Sequence, residues 1–244
     1  MMKKFAVFDI DGTLIRWQLY HAVVNRLAAS GALGDNFYNQ IREARRKWKN
    51  RAQPFSEYER TLVDKFLLVM PQLDIQQYEH VIGDIWNEYR DQTYIYTRDL
   101  IKRLKKEGYF LLIISGSPSE VIERLAKYYD FDDFRACVFQ RDQGGRFTGK
   151  ITSPVHNKKL ALQKLVKEHG LDWQGSIAVG DSGSDIAMLT QVEQPIAFNP
   201  DRVLFDAARE RGWQIVIERK NVVYELTPCK NGAYNDKEAR YELK

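Results

Sequence analysis

The stretch AVGDSGSD, residues 178–185, supports two incompatible folds. Around Ser182 it carries the GDSG of a trypsin-like serine protease, whose β-barrel needs a His and an Asp upstream of the serine. Around Asp181 and Asp185 it is a polar turn between an apolar strand, SIAVGD, and a helix, SDIAMLTQV. The four histidines, His21, His80, His156 and His169, all fall in helix-like segments or at their starts. What surrounds the stretch settles the choice, because the same strand-then-helix rhythm runs through most of the chain. The serine is incidental in this pattern, and the aspartates matter.

Working outward, KKLALQKLVKEHG (158–170) is a helix ahead of the decisive strand. PIAF (195–198), DRVLFDAARERG (201–212) and WQIVI (213–217) follow as strand, helix and last strand. Upstream, DLIKRLKKEG, YFLLIIS and SPSEVIERLAKYY give helix, apolar strand and helix. ACVFQRDQGGRFTGKI (136–151) then reads as a strand, a Gly-Gly turn and a strand. Repeated units with continuously apolar strands predict a parallel sheet covered on both faces, an α/β fold.

The N-terminal KFAVFDI is a further buried strand running into DGT. Its basic start resembles a signal peptide, but Asp9 and Asp11 interrupt the apolar run, so neither a leader nor a membrane span is expected. From about Trp17 to Gln92 strand signals give way to helical ones. Ser56 and Glu59 form an S-x-x-E capping box after Pro54. Ile75, Tyr78, Val81, Ile82, Ile85, Trp86 and Tyr89 share one helical face. The expected division is therefore a discontinuous core, residues 1–16 and 93–228, a helical insertion at 17–92, and a polar, loosely held tail at 229–244.

A length of 244 residues suits one domain with a sizeable insertion, and a net charge of +4 is too small for a dedicated nucleic-acid binder. Cys137 and Cys229 are far apart with no histidine at ligand spacing, which points to free thiols in a reducing compartment. A soluble, cytoplasmic protein is expected. The run REARRKWKNR (42–51) carries six basic side chains around Trp48. It reads as the solvated face of a helix rather than a nucleic-acid patch, with attraction of anionic substrates as a lesser role.

In parallel sheets ligands bind at the carboxyl ends of the strands. Three strands end there in FDIDGT, IISGS and AVGDSGSD, so Asp9, Asp11, Ser115, Asp181 and Asp185 converge on one crevice, joined by Lys158 or Lys159. Ionised carboxylates about 4 Å apart repel by about 4 kcal/mol per pair at an effective dielectric near 20. Protonation or a divalent cation must relieve this, and an all-oxygen donor set favours Mg²⁺ over zinc. A cation, a lysine and a hydroxyl around a carboxylate suit a phosphoryl group.

DIDGT, then SGS, a lysine and GDSGSD, in that order, resemble the four motifs of the haloacid dehalogenase superfamily over about residues 4–217. The helical insertion after the first motif resembles the C1 cap of its phosphoserine-phosphatase-like branch, subfamily IB. GRFTGKITSP and NPDRVLFDAARERGW are similar to that branch as well. The resemblance implies a Rossmann-like three-layer core with an all-helical cap, and a Mg²⁺-dependent phosphomonoester hydrolase. Asp9 would be the nucleophile and Asp11 the general acid and base. Ser115, with Gly116, would bind phosphate, and Lys158 would neutralise charge. Asp9, the Asp11 carbonyl and Asp181 would hold Mg²⁺, with Asp185 in support. Arg60 falls near the family's carboxylate-reading arginine. Phosphoserine phosphatases carry a serine and a glutamate where this chain has Gly12 and Gln18, and a neutral Gln18 cannot pair with an ammonium as a glutamate does. Phosphoserine therefore stands beside other small phosphomonoesters as a candidate substrate. Two alternatives remain, phosphoryl transfer to another acceptor, as in phosphomutases, and a non-catalytic phospholigand or nucleic-acid binder of the same fold.

Overall fold

The computed structural model describes residues 3–228 and 234–240. Its centre is a sheet in which β1 (Lys3–Phe8), β2 (Phe110–Pro118), β3 (Asp133–Arg141), β5 (Leu171–Gly180), β6 (Gln194–Phe198) and β7 (Gln214–Arg219) run parallel. Antiparallel strands extend both edges, β4 (Phe147–Thr152) beyond β3, and β8 (Val222–Pro228) then β9 (Tyr234–Arg240) beyond β7. The spatial order is β4-β3-β2-β1-β5-β6-β7-β8-β9.

From the sequence alone the sheet ends at Ile217 and a loose tail follows. Instead β8 and β9 form an antiparallel pair on its edge, with Val222 opposite Arg240. Residues 229–233 and 241–244, Cys229 among them, lie outside the described residues.

Alternate residues of each central strand serve opposite cores, as a period of two requires. Phe5, Val7, Leu112 and Ile114 pack with α7 (Lys158–His169), α8 (Ile186–Leu189) and α9 (Arg202–Arg211). Ala6, Phe8, Leu111 and Ile113 point the other way. There they meet α5 (Ile95–Lys106), α6 (Ser119–Tyr128) and a helical segment between β1 and α5. That segment comprises α1 (Leu19–Ala29), α2 (Asp35–Lys49), α3 (Phe55–Val69) and α4 (Ile75–Tyr89). In α4 the buried residues Tyr78, Val81, Ile82 and Ile85 reproduce the predicted stripe, and Asp74 caps the helix by accepting from the Gln77 amide at 2.9 Å. Helix α3 departs from expectation. It starts at Phe55 with Pro54 as its N-cap, so Ser56 lies inside the helix and is not its cap; the Ser56 side chain lies outside the described residues. Among the described residues no helix is long and apolar enough to cross a membrane.

One buried acid ties the sheet to a helix start. Glu218, on β7, accepts from the backbone amides of Ile95 and Tyr96 at 3.1 and 2.9 Å. These are first-turn donors of α5, which have no partner within the helix and favour a negative charge. Glu218→Ala should lower stability by about 1–3 kcal/mol, the cost of leaving such buried donors unmet. Urea unfolding, followed by circular dichroism, reads the shift in midpoint.

Candidate active site

The crevice forms where β1, β2 and β5 end side by side. Beyond β1 the chain turns sharply, as the Ile10 carbonyl accepts from the amides of Thr13, Leu14 and Ile15 at 2.9–3.2 Å. Gly12 makes the turn possible, for two reasons. Its φ is +81°, and a Cβ there would stand 2.1 Å from Asp181 Oδ2. Asp181 and the first loop thus occupy one another's space, which brings the first and last motifs together.

Asp9 and Asp185 share one cation. Lys158, at the start of α7 and 2% exposed, donates to Asp9 Oδ1 at 2.7 Å and to Asp185 Oδ1 at 2.6 Å. Lys159 is exposed, which resolves the choice between the two lysines by geometry. The second oxygen of Asp185 accepts from the amides of Asp181 and Ser182 at 3.1 and 3.0 Å, and from Ser182 Oγ at 3.2 Å. Both Asp185 oxygens are therefore engaged. A Cβ on Gly180 would sit 2.5 Å from Asp185, so that strand end must also be glycine. The serine of the opening stretch bonds Asp185 and Ser184, not a histidine.

Asp11 faces the helical segment. Its Oδ1 accepts from the Leu19 amide at 2.6 Å, and its Oδ2 from Ser117 Oγ at 2.7 Å and Ser115 Oγ at 3.2 Å. Ser117 Oγ accepts in turn from the Tyr20 amide at 2.9 Å. The first two residues of α1 are therefore anchored to Asp11 and to the end of β2. Ser117 was not singled out from the sequence, although it is the last residue of the same SGS triplet. Gly116 lies between the two serines, with Val155 Cγ2 only 2.7 Å from where its Cβ would be.

Burial dominates the electrostatics. It lifts Asp9 from its ordinary 3.8 to about 7, with Lys158 opposing and the charges of Asp185 and Asp11 adding to the rise. Asp181 is held well above the usual carboxylate range by burial and by Asp9 and Asp185. Burial also raises Asp11, against the lowering effect of the Leu19 amide, Ser117 and Ser115. For Lys158 burial favours the neutral form, but Asp185 and Asp9 outweigh it and hold the ammonium above its ordinary value. Oxygens of Asp9, Asp181 and Asp185 lie within 4.8 Å of one another. Such a set is suited to a hard divalent cation, which would relieve the repulsion that raises Asp9 and Asp181.

Beside this centre, under the helical segment, lies a cavity of about 230 Å³. Gly12 and Gln18 line it, together with Arg16 and Arg45. Arg60 does not. It stands exposed on α3. The basic run splits: Ala44 is buried, Trp48 packs against the core, and Arg45 reaches the cavity, while Arg42, Arg46, Lys47 and Lys49 are exposed. Its reading as a solvated face holds for the outer residues only. Cys137 is a buried free thiol whose pKa burial pushes up to about 12.

The parallel α/β sheet thus carries carboxylates and a buried lysine together at its strand ends. Residues 6–190 match the family described as haloacid dehalogenase-like hydrolase. The chain belongs to this family. It is 30% identical over 146 residues to the "Inhibition of morphological differentiation protein" of Streptomyces azureus, a match covering 59% of this chain and 53% of that one. It is 27% identical over 232 residues to the "Phosphoserine phosphatase SerB1" of Mycobacterium tuberculosis, covering 86% of this chain and 69% of that one. The chain thus spans about half the length of the first relative and about two thirds of the second. Among solved structures it shares its fold with a phospho-aspartyl intermediate analogue of phosphoserine phosphatase, with a TM-score of 0.64 and 22% identity, covering 90% of this chain and 95% of that one.

Proposed function

We propose that the chain is a Mg²⁺-dependent phosphomonoester hydrolase that works through an aspartyl-phosphate on Asp9. The observation that carries this reading is the shared lysine. Lys158 holds Asp9 Oδ1, while Asp9 Oδ2 accepts no hydrogen bond from the described residues. That leaves one oxygen of a fixed carboxylate free to attack. As the Asp9 Oδ2–P bond forms, the P–O bond to the alcohol breaks, and Asp11 delivers its proton to the leaving oxygen. Burial, which raises Asp11, favours the protonated form this step requires. Ionised Asp11 then takes a proton from water as the water oxygen attacks phosphorus. Inorganic phosphate leaves and the Asp9 carboxylate is restored.

Asp9, Asp181 and the Asp11 carbonyl would hold the Mg²⁺, with Asp185 in support. A bound Mg²⁺ would offset the charge of the phosphoryl oxygens. Ser115 and Gly116 would contact the phosphate. Residues 17–92 act as a cap over a core of residues 1–16 and 93–228, admitting substrate when open and excluding water when closed. Phosphate release from acetyl phosphate and a panel of small esters should depend on Mg²⁺ and vanish in EDTA. Turnover unaffected by EDTA would refute the metal requirement.

The raised carboxylates make the metal's effect depend on pH. Asp9 binds its proton more tightly folded than unfolded, so its contribution to stability is full below 3.8 and lost as pH rises to about 7. Asp181 acts in the same direction. In EDTA the melting temperature should fall across this window. Added Mg²⁺ should raise it far more at pH 8 than at pH 5, because it binds the ionised carboxylates. Differential scanning fluorimetry at both pH values reads the difference.

A further inference from the structure

The cavity beside Gly12 has a lining that the phosphatase chemistry does not use. Five aromatic side chains, Trp17, Trp48, Phe55, Tyr58 and Tyr94, form much of its wall. Trp48 and Tyr58 stack nearly parallel, 3° apart at 5.4 Å, and Phe55 stands at 62° to Trp48. Arg16, Gln18, His21, Asn25 and Arg45 join them. Arg45 makes no ion pair with any described residue, and the Arg16 guanidinium lies over the Tyr94 ring at 5.3 Å. His21 is 4% exposed, and its Nε2 has no hydrogen-bond partner among the described residues. The Glu59 carboxylate stands 3.7 Å from it and does not line the cavity.

This chemistry suits a particular leaving group. Among the described residues no carboxylate lines the cavity, so an ammonium entering it would meet two guanidiniums and no counter-charge. A flat ring would instead find aromatic walls, and an anionic group on the ring would find Arg45, Arg16 and the unsatisfied His21 Nε2. The volume, about 230 Å³, is below that of drug-sized pockets and fits one ring rather than several.

Resting on the phosphatase reading, we infer that the substrate is a phosphomonoester of an alcohol bearing a single aromatic or heteroaromatic ring with an anionic substituent and no ammonium. Recognition would come from the aromatic wall and from Arg45, with His21 hydrogen-bonding the substituent.

Steady-state kinetics on matched alkyl esters tests this without the bias of an activated leaving group. Benzyl phosphate and its 4-carboxy derivative would be compared with phosphoserine and phosphoethanolamine, with acetyl phosphate reporting the reaction centre alone. Both ring esters should exceed the amino esters in kcat/KM by about tenfold or more, and the carboxylated ester should have the lower KM of the two. Arg45→Ala should raise KM for the carboxylated ester several-fold more than for benzyl phosphate. Amino esters matching the ring esters, while acetyl phosphate is turned over, would overturn the substrate inference and leave the phosphatase intact. An equal effect of Arg45→Ala on both ring esters would overturn the anionic substituent. No turnover even of acetyl phosphate would overturn both readings.

Discussion

Asp9→Asn is expected to abolish turnover, by at least about 10⁴-fold, the scale on which removal of an enzyme nucleophile is felt. The amide fills the same space but cannot form the acyl phosphate. The fold should survive the change. Ionised Asp9 is a net liability in the folded chain, because burial and the nearby charges of Asp185 and Asp11 raise its pKa to about 7. Lys158 keeps Asp185 as its partner at 2.6 Å. At pH 8 in EDTA the variant should therefore unfold at a urea concentration equal to or above that of the parent. Loss of activity together with loss of stability would mean that Asp9 is a structural residue.

Lys158→Met should do the opposite, striking stability first. Among the described residues Lys158 is the one cation paired with Asp9 and Asp185, which are 5% and 0% exposed. Removing one member of a buried ion pair leaves uncompensated charge and costs about 3–5 kcal/mol. The penalty should shrink as pH falls below about 7, where Asp9 takes up a proton, and should be partly reversed by adding Asp185→Asn. Urea midpoints at two pH values, for the single and double variants, measure both effects. A Lys158→Met protein as stable as the parent at pH 8 would contradict the ion-pair geometry.

Much of this was legible in the sequence because strand ends in a parallel sheet are local features. An apolar run that stops at a pair of aspartates fixes both the strand and the edge from which its side chains reach the crevice. Asp9, Asp11, Asp181 and Asp185 could be placed in this way, and Ser115 with them. The pocket was less legible. Helical periodicity shows that Phe37, Ile41, Ala44 and Trp48 share a buried face of α2, but not which neighbour that face meets. Arg45, one residue past Ala44, therefore looked like part of a solvated run, and Arg60, outward on α3, looked like a candidate ligand. The outer pair β8 and β9 was missed for another reason. VVYELTP (222–228) follows the last parallel strand with only Lys220 and Asn221 between, and no glycine or proline marks the turn. Lys220 adopts a φ of +57°, so a non-glycine residue makes a turn that usually announces itself by glycine.

A covalent phosphoryl group on Asp9 can be captured by borohydride trapping. Enzyme mixed with Mg²⁺ and acetyl phosphate would be quenched, reduced with borohydride and mapped by peptide mass spectrometry. Reduction converts an aspartyl-phosphate to homoserine. That conversion is expected at position 9, dependent on both phosphoryl donor and Mg²⁺, and at no other aspartate. An unmodified Asp9 in an enzyme that is turning over, or a stable phosphate on Ser115 or Ser182, would contradict it.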